Sequence, residues 1–242
     1  MTMKHILRKL SKPIILFLSV VVIGYAFIAM HDGRSTISYQ DHLSDVAVTV
    51  DGEAVTFEDL AFYILYEERI VEEEARIYNP DSTKDYWNIH TNDTFIQDEA
   101  KNAIIGMAIH DELLYELAKE NGMDELTEEE EQQLEFSKTD FWEDLMDVQW
   151  DRLPTDEDTI NAQILKAAIA EKYQNYLGTT QGPSIAAYKY DGYYYSLIED
   201  EHDVDINDEL WDRFVVGDIT LYHDSTNFIN GLTDAEKEEK QK

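Results

Sequence analysis

Hydrophobic positions recur with a period of two at residues 46–50 and then switch to a helical period. Val46, Val48 and Val50 alternate with Ala47 and Thr49, Asp51 and Gly52 supply a turn, and Thr56 with Asp59 has the spacing of a capping box. Phe57, Leu60, Ala61, Ile64 and Leu65 follow at i, i+3, i+4, i+7 and i+8, while Glu58, Asp59, Glu67 and Glu68 occupy the wet side. Residues 45–77 therefore predict a strand, a tight turn and a capped helix whose apolar face needs partners downstream.

Asn79, Pro80, Asp81 and Ser82 mark a loop over 78–93, with Tyr86 and Trp87 inside it. Such aromatics either pin a loop to the core or meet a partner. A helix is predicted over about 94–121, capped by Asp93 or Thr94 and stopped by Gly122. Ala103, Ile104, Ile105, Met107, Ala108 and Ile109 leave it almost no polar side, which makes it the central helix. Thr127 and Glu130 open the next one, with Leu134, Phe141, Leu145 and Val148 as a narrow apolar stripe. Glu128 to Glu131 complement the dipole of its first turn and point around the helix, so they do not read as a metal site. After Pro154, with Thr155 or Thr159 as cap, Ile160, Ile164, Leu165, Ala168, Ile169, Tyr173 and Tyr176 carry a further helix to Gly178. Beyond a break at 178–183, Tyr188, Tyr190, Tyr193, Tyr194 and Tyr195 flank Asp191-Gly192 as a hairpin would, and residues 212–222 suggest another strand.

The N-terminus differs from all of this. Residues 13–30 carry no charge, and Lys4, Arg8, Lys9 and Lys12 precede them. An apolar run of this length spans a bilayer, with the basic flank kept cytoplasmic and the rest outside. A cleaved signal peptide, with the small residues Gly24 and Ala26, is the competing reading. The resulting organisation is a basic segment 1–12, a transmembrane anchor 13–30, a linker 31–44, a helical domain 45–178, a small strand-rich segment 179–231 packed on it, and a charged tail 232–242. The fold class is mainly α with a small β portion.

The chain has 242 residues, no cysteine, and 52 acids against 19 lysines and arginines, a net charge of −33. With the four N-terminal cations set aside, the remainder carries −37. That excludes disulfides and thiolate chemistry and argues against nucleic acid and anionic lipid as partners. The acidic stretch Asp203, Asp205, Asn207, Asp208 lacks the glycine and the twelfth-position glutamate of an EF-hand. His90 and His110 have no third ligand in register, and Ser184 and Ser196 lack a nucleophile elbow. No catalytic residue, cofactor or metal is assigned.

Two stretches resemble the SurA and PrsA type of extracytoplasmic chaperone. Val46-Ala-Val-Thr-Val-Asp-Gly-Glu-Ala-Val-Thr-Phe-Glu-Asp-Leu is similar to the strand, Asn-Gly or Asp-Gly turn and first helix of that family. Glu112-Leu-Leu-Tyr-Glu-Leu-Ala-Lys-Glu-Asn-Gly-Met-Asp-Glu-Leu-Thr-Glu-Glu-Glu resembles its helix, glycine stop and newly capped helix. The resemblance covers roughly Val46 to Gly178 and implies a SurA/trigger-factor-like helical domain at a bacterial, Gram-positive envelope, holding unfolded or secreted polypeptides. The parvulin prolyl isomerase domain that members often carry has no counterpart here, which puts isomerase activity in doubt. The alternative is an envelope adaptor with one fixed protein partner. On either reading the candidate contact residues are Tyr86, Trp87, Tyr188, Tyr190, Tyr193, Tyr194 and Tyr195.

Overall fold

A computed structural model describes residues 36–91 and 94–223. The predicted anchor, the basic segment and the charged tail lie outside the described residues, among which no helix is long and apolar enough to cross a membrane. The described chain is mainly helical with a small β portion.

β1 (Val46–Val50) and β2 (Glu53–Thr56) form an antiparallel hairpin. Its turn residues Asp51 and Gly52 adopt φ of 51° and 90°, the pair of positive values that a type I′ turn requires. The valine alternation fails at its first member, because an irregularity between Val46 and Val48 turns Val46 outward while Ala47 and Val48 are both buried. The other edge of β1 pairs with β5 (Val204–Ile206), giving the order β2-β1-β5. His202 Nδ1 lies 2.6 Å from Asp51 Oδ2, tying the hairpin turn to the approach of β5.

The Thr56–Asp59 box forms, with Thr56 N donating to Asp59 Oδ2 at 2.8 Å and Asp59 N donating to Thr56 Oγ1 at 3.3 Å. The helix it introduces, α1 (Ala61–Tyr78), starts later than the apolar period predicts. Phe57 is drawn instead into an aromatic cluster with Tyr39, Trp211 and Phe214, its ring 4.8 Å from that of Phe214. Tyr39 lies in a 3-10 turn, Tyr39–His42, and its hydroxyl donates to Phe57 O. The end of the expected linker 31–44 is thus part of the packed unit.

The expected loop 78–93 contains a short helix, α2 (Thr83–Trp87), and β3 (His90–Thr91), which pairs with β4 (Thr94–Phe95). That ladder takes Thr94 away from a capping role. α3 (Ile96–Glu120) begins with Phe95 at the N-cap, without a side-chain cap bond. Its end is a Schellman stop: Met123 N donates to Ala118 O at 2.8 Å, Gly122 N donates to Lys119 O at 3.0 Å, and Gly122 has φ 67°. α3 packs against α1, α2, β1, β4 and the long helix α6 (Glu157–Thr180), as its apolar circumference demands. Ile104, Leu113 and Leu114 are buried at its centre.

α4 (Glu128–Glu143) carries the Thr127–Glu130 capping box in full. Its stripe contributes Leu134 and Phe141 to a cluster with Leu145, Ala61, Leu65, Ile160 and Ile164. The predicted continuation to Val148 is broken at residues 144–146, after which α5 (Asp147–Trp150) starts. α6 is capped by Asp156, whose Oδ1 accepts from Thr159 N at 2.9 Å, in place of the expected threonine. It continues through Gly178, where the missing side chain admits the backbone of Ile185.

The strand-rich expectation for 179–231 is corrected: residues 179–223 hold one three-residue strand. Where Asp191-Gly192 suggests a hairpin, a 3-10 turn (Ile185–Tyr188) leads into α7 (Tyr193–Glu199). Gly192 takes φ −85° as the N-cap of α7, which is not I′ geometry, and a side chain there would strike Ala187 O. After α8 (Asp208–Trp211), residues 212–223 are irregular. Their amides serve a buried carboxylate instead of a neighbouring strand. Glu68 of α1 accepts from Gly217 N, Ile219 N, Thr220 N and the Thr220 hydroxyl, while Gln149 Nε2 donates to Leu65 O and Thr220 Oγ1. Gly217, at φ 96°, leaves room for the Trp87 indole.

Candidate functional site

Three helices and one link each turn a stripe of side chains toward a common cleft of about 350 Å³. α1 supplies Phe62, Tyr63 and Tyr66, α3 supplies Met107, His110 and Asp111, and α6 supplies Ala167, Glu171 and Gln174. Spacings of three or four residues put each set on one face of its helix. Lys189 and Tyr190, from the link after the 3-10 turn, form the mouth. Tyr190 reaches that position because Gly106 of α3 has no side chain, and a Cβ there would come within 3.2 Å of the Tyr190 ring. A glycine inside a helix costs about 1 kcal/mol against alanine, so Gly106 trades helix stability for the approach of that ring.

The floor is a hydrogen-bonded network. His110 Nδ1 lies 2.8 Å from Asp111 Oδ1, and His110 Nε2 lies 3.0 Å from Tyr188 O. Both partners accept, so both contacts are hydrogen bonds only when each ring nitrogen carries a hydrogen. The other Asp111 oxygen accepts from the Tyr63 hydroxyl at 3.1 Å. Burial, reinforced by the Asp111 carboxylate, holds the Tyr63 phenol well above its ordinary value. Tyr195 stacks on His110 with ring centroids 4.8 Å apart, and burial followed by Glu199 pushes its hydroxyl up as well. Next to the mouth, Glu67 is raised to about 7, first by burial and then by Glu74. It and Asp191 act on the Tyr190 phenol, which burial raises first.

This arrangement can receive a small amphipathic group: aromatic and thioether walls for its body, carboxylates for its head. Among the described residues, no group of three or more histidines, aspartates and glutamates has the geometry to hold a metal ion. Comparison with models of known families, with characterised proteins and with solved structures gives no match for this chain. The cleft is therefore read from its own chemistry.

The structure divides the aromatic residues singled out from the sequence. Trp87 is 2 % exposed, Tyr188 5 % and Tyr195 1 %, so none of them offers a contact surface. Trp87 Nε1 donates to Glu72 Oε2 at 3.2 Å and its ring covers Gly217; Tyr188 and Tyr195 close the floor of the cleft around His110. Tyr86, half-buried, donates to Glu74 Oε2 at 2.9 Å, away from the cleft lining. Tyr193 and Tyr194 are exposed on α7, and Tyr190 alone of the seven lines the cleft. Sequence reasoning missed Phe62, Tyr63, Tyr66, Met107, His110, Asp111 and Glu171. The available signal was Gly106 four residues before a His-Asp pair, both interrupting the most apolar helix.

Proposed function

We propose that this chain is a membrane-tethered, extracytoplasmic polypeptide-binding protein, a holding chaperone of the SurA and PrsA kind without an isomerase site of its own. The observation that carries the reading is the open, tyrosine-walled cleft seated on three packed helices. Its floor is a hydrogen-bonded network, and it is lined by side chains suited to adaptable contact with peptide groups. The resemblance of residues 46–178 to a SurA/trigger-factor-like domain supports it further. The apolar run 13–30 behind four cations supports an N-terminal transmembrane helix with the N-terminus cytoplasmic. On this reading the acidic surface keeps the protein soluble while it holds clients.

The test measures two activities of the full-length chain: suppression of aggregation of two unrelated unfolded proteins, and proline isomerisation in a model peptide. Suppression without isomerisation is expected, and Tyr190→Ala is expected to weaken it. Isomerisation would reveal an enzyme. Failure of both would leave a dedicated envelope adaptor, for which the small size of the cleft, enough for one or two side chains, already speaks.

A further inference from the structure

The cleft combines partial enclosure, aromatic walls and acidic side chains in its lining. Glu171 lines it and makes no hydrogen bond or ion pair among the described residues. Glu67, next in sequence to the lining residue Tyr66, makes none either. Both Asp111 oxygens are already engaged, one 2.8 Å from His110 Nδ1 and the other accepting from the Tyr63 hydroxyl at 3.1 Å. The lining rings of Tyr66 and Tyr190 are 36 % and 38 % exposed, and the Arg69 guanidinium already lies 5.8 Å from the centroid of the Tyr66 ring. An electron-rich ring beside the unpaired Glu171 carboxylate is an arrangement that favours a cation carried on an apolar stem. The charge of the whole chain, −33, adds a field of the same sense.

We infer that the cleft is a subsite for one basic side chain, arginine or lysine, of an extended polypeptide, with the stem against Tyr190 and Met107 and the head at Glu171. This deepens the polypeptide-binding reading and rests on it. Lys189 opposes such a ligand from the mouth and so sets a ceiling on its affinity. Neutralising Lys189 should tighten binding, where loss of an ordinary contact residue would weaken it.

The experiment titrates the full-length chain into short, labelled, otherwise identical peptides with a central arginine, lysine or glutamine between apolar residues, and follows fluorescence anisotropy. The basic peptides are expected to bind about tenfold tighter than the glutamine peptide, as a charge-assisted contact implies. Glu171→Gln should cut that ratio to about threefold, Lys189→Gln should raise it, and added salt should shrink it. Tyr190→Ala should weaken all three peptides. Equal binding of the three, no binding of any, or a ratio indifferent to Glu171→Gln and Lys189→Gln would overturn the inference. If the ratio behaves as expected but aggregation is not suppressed, the holding function fails and the subsite stands. If aggregation is suppressed without preference for basic peptides, the subsite fails and the function stands.

Discussion

Glu67 shows what acid crowding does to a single residue in this chain. Its carboxyl rises from 4.5 to about 7, because burial penalises the charge and Glu74 repels it. The folded protein thus keeps a proton that the unfolded chain gives up earlier. The stability this adds is complete below the unfolded value of 4.5 and is lost as the pH rises through about 7. Glu67→Gln removes the titration without changing shape. The variant should melt with the parent at about pH 4 and above it at about pH 8, as read by thermal unfolding at both values. None of this was legible in the sequence, where Glu67 sits on the polar side of an amphipathic helix and reads as solvated. The same limit explains the misplaced aromatics. The hydrophobic pattern does not tell whether Trp87 or Tyr195 turns its ring inward, since that depends on Gly217 and His110, which are distant in sequence.

At the scale of elements, the local signals held where the physics is local. The Asp-Gly turn, the Thr127 box and the Gly122 stop each depend on a handful of neighbouring residues, and each formed. Gly122→Ala forces a side chain into φ 67° and should destabilise the domain by about 1 kcal/mol, seen as a lower urea midpoint with an unchanged slope. Elements whose fate is set by distant partners were misread. The hairpin expected around Asp191-Gly192 yields to a helix whose buried Tyr195 packs on α3, and the strand expected at 212–222 yields to the demands of Glu68. The break between α4 and α5 had no sequence mark, for Leu145 and Val148 keep a helical spacing across it.

At the scale of the whole molecule, contacts from the end of the described chain close structures opened near its beginning. Glu68→Ala would leave three amide donors and a hydroxyl without their acceptor, a loss of about 3 kcal/mol or more. Its mark should be early protease cleavage within residues 212–223, with Glu68→Gln losing less; equal resistance in the parent and Glu68→Ala would show that the carboxylate does not hold this segment. The pairing of β1 with β5 makes the same long connection, Val48 opposite Ile206. Chains are made from the N-terminus, so during synthesis β1 has an open edge and Glu68 a bare charge until nearly all of the domain has been delivered. The domain itself is therefore unfinished until late. Its nascent form is exposed to edge pairing and proteolysis until the sheet is complete.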